Sequence, residues 1–471
     1  MLRRVISFLF VSALVVIGAR ADTIHLKNGR TIVADQVRES GNRYEYEIGE
    51  DTYAIPKSSV DRIEAGGAPI HSAAGSHAAD LPTFAPADSL ANEGDLVGKI
   101  IKEGKVNPDA LSTLESKGSA ELSATAEFIA GKFEFDHGNI NQARQYFDSA
   151  LRFQPENSTI LVYYSAVLVR NGNPSQALSY AQRAVRAAPD SPDAYTMLGY
   201  AQFASDRTKD AIASWKHSLA LRPDQAVEQY LAKAQREQNV EAEFSSGESS
   251  HFTLHYEGKQ TSDAFRAQIL SVLETDYDDL VRDLGTPPRD NILVTLYTEQ
   301  AFFDVTHAPS WSGAMNDGKL RIPVSGLTTV TSDLAHVLKH ELAHSFITKL
   351  SAGRCPPWLH EGIAQYLEPK NLGGNGHQLA LLFKNQQNIP LNALEGSFLQ
   401  FSGMQANLAY AESLAAVTYI TDSYGMSDIQ RILQRLSEGN STEAALRATI
   451  HSDYGQLESD LAKYLSDKYG E

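Results

Sequence analysis

The pentad His340-Glu341-Leu342-Ala343-His344 places two imidazoles and a carboxylate within five residues. Asp333 to Leu350 holds neither Gly nor Pro, and Leu334, Val337, Leu338, Phe346 and Ile347 recur at helical spacing, so the segment reads as a helix. Residues four apart on a helix share one face a turn apart, which lets both imidazoles reach a single Zn²⁺. Glu341 projects about 100° round the helix, where it can take a proton from water that the metal activates. A catalytic site of this kind needs a third ligand. Glu361 supplies one, in the segment Trp358-Leu-His-Glu-Gly-Ile-Ala-Gln-Tyr-Leu-Glu368 that Pro356-Pro357 opens as a helix. The 16 residues between His344 and Glu361 leave room for the first helix to end near Gly353 and a second to return the carboxylate. His340, His344 and Glu361 with one position left for water is the arrangement of catalytic rather than structural zinc.

The third ligand separates subclasses. The longer metzincin pattern fails, because Ile347 and Leu350 stand where it needs Gly and His. His340-Glu-Leu-Ala-His344 followed by Trp358-Leu-x-Glu361-Gly362-x-Ala364-x-Tyr366 resembles the gluzincin metallopeptidases, in particular the peptidase MA-like domain and more distantly the aminopeptidase-N-like enzymes. The resemblance covers roughly 248–471, its specific part 340–368. It implies His340, His344 and Glu361 as ligands of one zinc per chain and Glu341 as general base. Ser312-Gly-Ala-Met-Asn-Asp-Gly318 sits where the aminopeptidases carry Gly-Ala-Met-Glu-Asn, and Asn316 replaces the glutamate that would hold a free amine. An endopeptidase-like or unspecified peptidase is therefore expected over an aminopeptidase. In gluzincins a downstream Tyr or His steadies the oxyanion; Tyr410 is the candidate, with a packing tyrosine as the alternative and His377 in a Gly-rich loop as a second candidate. His336, one turn before His340, reads as packing or as a partner behind the ligands, because a fourth protein ligand would close the open position. His360 reads as non-ligating, Glu368 as an orienting or a solvated carboxylate, and Cys355 as a buried structural thiol.

An internal repeat precedes these motifs. Pro155, Pro189 and Pro223 are 34 residues apart, and Ala143, Ala177 and Ala211, Ala150 and Ala184, and Gly138 and Gly172 keep the same step. Two helices per unit of this length is the tetratricopeptide signature. Gly131, Ser165 and Gly199 hold the small position at which paired helices touch. The chain resembles three tetratricopeptide repeats over 124–223, with Gln225 to Gln238 as a capping helix. Beyond Ser245 the pattern becomes mixed α/β: strands at His251–Tyr256, Ile292–Tyr297 and Lys319–Pro323, helices at Asp263–Leu284, Ser332–Leu350 and Pro357–Leu367.

At the other end, Arg3 and Arg4, an apolar run from Val5 to Gly18 and Ala19-Arg-Ala21 read as a secretory signal peptide, too short to span a bilayer. Alternating runs broken by Asn28-Gly29 and Ser40-Gly41-Asn42 read as a four- or five-stranded β module. The expected organisation is multidomain: signal peptide 1–21, small antiparallel β module 22–65, flexible linker 66–91, helical lead-in 92–123, α-helical tetratricopeptide solenoid with capping helix 124–240, and an α+β zincin-like metallopeptidase domain 248–471. His71 and His77 in the linker lack neighbours at ligand spacing. A net charge of −17 argues against nucleic acid as partner, since phosphates demand a basic face. The expectation is an exported zinc metallopeptidase of bacterial type, periplasmic or extracellular, with no stable membrane span after cleavage, acting on a peptide or protein. Its repeats would bind a protein partner or substrate. The alternative is a tetratricopeptide interaction scaffold with an inactive or latent metallopeptidase domain.

Overall fold

The structure, a computed structural model, describes residues 22–27, 31–34, 36–41, 43–48, 51–64, 84, 93–258, 261–307, 314–324, 326–373, 375–396, 398, 401 and 403–470. The expected signal peptide and the linker, Phe84 aside, lie outside these, with His71, His77, Ser312 and Gly313. The chain divides into two compact units, 1–71 with 400–406 and 72–399 with 407–471.

The first unit holds β1 (Asp22–Leu26), β2 (Thr31–Ala34), β3 (Gln36–Ser40), β4 (Arg43–Ile48), β5 (Asp51–Pro56) and β6 (Val60–Glu64). They form two antiparallel three-stranded sheets, ordered β2-β1-β6 and β3-β4-β5. Gln36–Ser40 is a strand of its own, which brings the number to six where the alternation suggested four or five. Ile24 and Val60 are buried against Val37, Tyr44, Ile55 and Ile63, a core as small as the module.

The second unit opens with α1 (Glu93–Ile100), the hairpin β7 (Ile101–Lys102) and β8 (Lys105–Val106), and α2 (Pro108–Lys117). Six helices then pair off at the 34-residue step: α3 (Ala120–Asp136) with α4 (Ile140–Phe153), α5 (Ser158–Arg170) with α6 (Pro174–Ala187), and α7 (Pro192–Ala204) with α8 (Thr208–Leu221). The first helix of each pair starts on a side-chain cap, Ser119, Asn157 or Ser191, which satisfies an amide that a helix start would leave bare. The small position inside each pair is a contact requirement: a Cβ on Gly131 would lie 2.7 Å from Phe147 Cδ1, and one on Gly199 2.4 Å from Trp215 Nε1.

The expected capping helix is α9 (Gln225–Glu241), one turn longer than read from the sequence. One side of its C-terminal end is buried. Glu237 is fully buried and accepts from Arg321 Nη2 at 2.8 Å and from Lys319 Nζ. Arg321, also fully buried, donates to Asp317 Oδ1 at 2.9 Å and to Tyr297 Oη at 2.7 Å, and Tyr297 donates to Glu241. Lys233 of α9 reaches Asp317 Oδ2 at 2.9 Å. Burial alone would raise the Asp317 pKa, but Arg321 and Lys233 outweigh it and hold the carboxyl well below its usual range. Buried ion pairs of this kind fix an alignment more than they add net stability.

The elements so anchored belong to a five-stranded sheet. After α9 come β9 (Ser245–Glu248), β10 (Phe252–Tyr256), α10 (Asp263–Leu284), β11 (Ile292–Tyr297), α11 (Glu299–Thr306), β12 (Met315–Asn316) and β13 (Leu320–Pro323). The strand order is β12-β13-β11-β10-β9, with β10, β11 and β13 parallel and both edge strands antiparallel. Helices follow: α12 (Ser332–Ser351), α13 (Pro357–Leu367), α14 (Asn375–Lys384), α15 (Gly403–Tyr424), α16 (Met426–Ser437), α17 (Thr442–Ile450) and α18 (Tyr454–Tyr469). The chain is thus mostly helical, repeats plus small sheets, and among the described residues no helix is long and apolar enough to cross a membrane.

Candidate metal centre

Thr331 caps α12 by accepting from the Leu334 amide, and the helix runs unbroken through the pentad to Ser351. Ala352 and Gly353, both at positive φ, turn the chain, and Pro357 starts α13. This hairpin places Glu361 opposite His340 and His344. Their Nε2 atoms lie 3.4 and 3.7 Å from Glu361 Oε2, and the three donor atoms all fall within 4.8 Å of one another. Tetrahedral zinc with bonds of about 2.0–2.2 Å keeps its ligand atoms about 3.3–3.6 Å apart, so two imidazole nitrogens and a carboxylate oxygen at this spacing fit the ion.

Both histidines are held from behind. His340 Nδ1 meets Glu368 Oε2 at 3.2 Å, and His344 Nδ1 meets His360 Nδ1 at 2.8 Å. His360 Nε2 in turn lies 3.3 Å from Thr348 Oγ1. The tautomer that suits a metal at His344 Nε2 has His344 donating through Nδ1, His360 accepting there, and His360 donating from Nε2 to Thr348. His344 Nε2 then keeps its lone pair toward the shared centre, and His340 Nε2 can do the same once its proton is lost. Replacing His360 or Glu368 with Ala is expected to weaken zinc binding about 10- to 100-fold without unfolding the protein. Chelator competition checks this, and unchanged affinity in both variants would count against the assignment.

Gly362, beside Glu361, sets how closely α13 approaches α15. A Cβ there would lie 2.4 Å from Ser413 O and 2.6 Å from Val417 Cγ2. The same contact surface brings Tyr410 to the site: Gln365 Nε2 donates to Tyr410 O at 3.0 Å, and the Tyr410 ring packs edge-on against Phe398 at 5.6 Å. Asn316 of edge strand β12 donates its amide to Glu341 O at 2.7 Å and to Ser345 Oγ at 2.8 Å. The residue standing where aminopeptidases carry glutamate is therefore spent on the pentad helix.

The electrostatics follow from burial among carboxylates. Burial disfavours a charged His340, yet its hydrogen bonds to Glu361 and Glu368 outweigh this and lift its pKa to about 10. Burial pushes Glu341 up to about 7, with Glu361 adding to the rise and His340 opposing it. Burial, then the charges of Glu361 and Glu341, hold the Tyr410 hydroxyl well above its ordinary value. Because His340 is protonated at neutral pH until a metal displaces the proton, zinc affinity is expected to climb about tenfold per pH unit between about pH 6 and 8. Calorimetry in two buffers of different ionisation enthalpy should find about one proton released per zinc bound; none released would refute the coupling.

Residues 277–467 match the family model of the Peptidase MA superfamily, and residues 166–226 that of a tetratricopeptide repeat. The chain thus joins a Peptidase MA superfamily region to tetratricopeptide repeats. No curated protein matches it. Among solved structures it is similar to the Arabidopsis OM64 TPR domain, at 18% identity over 25% of this chain and 98% of that one, with a TM-score of 0.24. The first TPR of Spaghetti bound to an HSP90 peptide shares 20% over 25% of this chain and 93% of its own, TM-score 0.24. A double mutant of MamA shares 20% over 33% of this chain and 88% of its own, TM-score 0.27.

Other candidates fall elsewhere. His377 is not in a loop but in α14, where its Nδ1 lies 3.0 Å from Tyr469 O, so its ring is tied to α18. Cys355 is buried, and burial raises its thiol pKa well above the usual value. Among the described residues, His340, His344 and Glu361 form the one cluster of three metal-ligating side chains, and His336 is outside it. The contact of His360 with His344 has no signal in the sequence, because it depends on how α13 docks on α12.

Proposed function

We propose that the chain is a zinc metallopeptidase that hydrolyses peptide bonds, with His340, His344 and Glu361 as ligands and Glu341 as general base. The observation that carries the reading is the spacing of the three donor atoms, each histidine oriented through its other nitrogen. Bound zinc would supply a Lewis acid that acidifies water and polarises the scissile carbonyl. Glu341, with a pKa near neutrality, accepts the proton of the attacking water and can hand it to the departing amine. Tyr410, kept protonated by burial and by the carboxylates around it, donates a hydrogen bond to the developing oxyanion. β12 is an edge strand pinned to the pentad helix by Asn316. An extended peptide added to that edge would pass beside Glu341, which favours peptides over other amides and esters.

Export belongs to the same reading, supported by the basic start and the apolar run at 5–18. So does a protein partner or substrate for the repeats. Tyr410→Phe is expected to lower kcat about 10- to 1,000-fold with zinc content and KM near wild type. An unchanged kcat would return Tyr410 to a packing role.

The deciding experiment is elemental analysis of the purified full chain together with digestion of a mixed peptide library. One zinc per chain with cleavage supports the proposal. Zinc without cleavage of any peptide favours an interaction scaffold with a latent site, and no zinc in protein kept from chelators refutes the metallopeptidase reading.

A further inference from the structure

The first helix of every repeat ends in the same way. α3, α5 and α7 are followed by His137-Gly138, Asn171-Gly172 and Ser205-Asp206, with positive φ at Gly138, Gly172 and Asp206. Each of these three turns, in 34-residue register, receives one cation from the Peptidase MA region. Arg354 Nη1 donates to His137 O at 2.6 Å, Lys349 Nζ to Asn171 O at 2.5 Å, and Lys319 Nζ to Asp206 Oδ1 at 3.0 Å. In the first two turns the acceptor is a carbonyl at a helix C-terminus, where the helix dipole favours positive charge. In the third, where no glycine occupies the left-handed position, the aspartate offers its own carboxylate and also holds His255 Nε2 at 3.0 Å.

The cations are not scattered over the Peptidase MA region. Lys349 lies in the last turn of α12, five residues after His344, and Arg354 lies in the connection to α13, seven residues before Glu361. Lys319 immediately precedes β13, three residues after Asn316. Ala352, the C-cap of α12, is buried within the hydrophobic core of the repeats. Arg354 also donates to Gly439 O at 3.2 Å, tying the α16–α17 turn to the same point. The hairpin that must return Glu361 to the histidines is thus clamped at its bend by the repeats.

We infer that the repeats are an internal buttress of the candidate metal centre, and that Lys319, Lys349 and Arg354 are positioning residues, one seated on each repeat turn, that fix the α12–α13 bend and edge strand β12 against the pentad helix. The inference rests on the proposed ligand set for its functional meaning, and on packing alone for its mechanics.

The test uses the full chain as Lys349→Met, Arg354→Met and the double variant, with Lys349→Arg as conservative rescue. Hydrogen exchange is followed on protein held metal-free, so that the readout does not depend on zinc. In the double variant residues 352–368 are expected to exchange roughly tenfold faster, from the loss of docking hydrogen bonds, while the interiors of α5 and α7 stay protected. Lys349→Arg should exchange as wild type. With zinc loaded, release to a chelator should quicken by a similar factor. Unchanged exchange across 352–368 in a folded double variant overturns the inference. If the double variant does not fold, Arg354→Lys, which replaces by one nitrogen the two that serve His137 O and Gly439 O, decides in the same way. Absence of zinc from the wild type would sink the proposed function and leave the exchange result to stand or fall on its own.

Discussion

Glu341→Gln is expected to abolish hydrolysis while zinc stays in place. The side chain keeps its length and its neutral shape, so the buried pocket that raises the Glu341 pKa to about 7 accepts the amide without strain. What is lost is the capacity to take a proton, and general-base removal of this kind costs about 10²- to 10⁴-fold in kcat. Zinc content should match wild type because Glu341 offers no atom to the cluster of His340, His344 and Glu361. Turnover within tenfold of wild type, measured on zinc-replete protein, would assign the proton transfer to another group.

Glu361→Ala is expected to empty the centre. Loss of an outer partner of a ligand costs about 10- to 100-fold in affinity, and loss of a ligand itself should exceed that. Two effects follow. The donor set falls from three atoms to two, too few to hold a catalytic zinc. The hydrogen bond from His340 to Glu361 also disappears, and with it the largest of the interactions that oppose burial and keep that imidazole charged; proton competition at His340 eases, which offsets part of the loss but restores no third donor. Elemental analysis of Glu361→Ala beside Glu341→Gln separates the roles: metal lost from the first and kept in the second. Stoichiometric zinc in Glu361→Ala would remove Glu361 from the ligand set.

Much of this arrangement was legible in the sequence because it is local. The pentad on a helix, the turn near Gly353 and the returning helix from Pro357 follow from spacing and from breakers, and α10, β11 and α13 fall at the bounds that periodicity suggests. The repeat step gave the paired helices for the same reason. Features that depend on which surfaces meet were not legible. His360 points away from Glu361 along α13, as its offset requires, but only the docking of α13 on α12 turns that direction toward His344. His377 read as a loop residue because of the glycines around it, yet Gly376 is where α14 packs on Tyr469, at 2.6 Å from a notional Cβ. Glu237 looked like an ordinary charge at the end of a capping helix, and nothing in its neighbours foretold a buried partner eighty-four residues away in Arg321.

That pairing bears on how such a chain can evolve. The ion pairs between α9 and the segment leading into β13 run both ways: Glu237 and Glu241 of α9 meet Lys319 and Arg321, and Lys233 of α9 meets Asp317. Recombination that delivered the repeats without the sheet would leave Glu237 without its two cations, and the sheet without the repeats would leave Lys319 without it. The two halves are therefore a single unit of inheritance, and new partners or substrates can be acquired by changing exposed helix faces and the edge of β12 far more readily than by exchanging one repeat array for another.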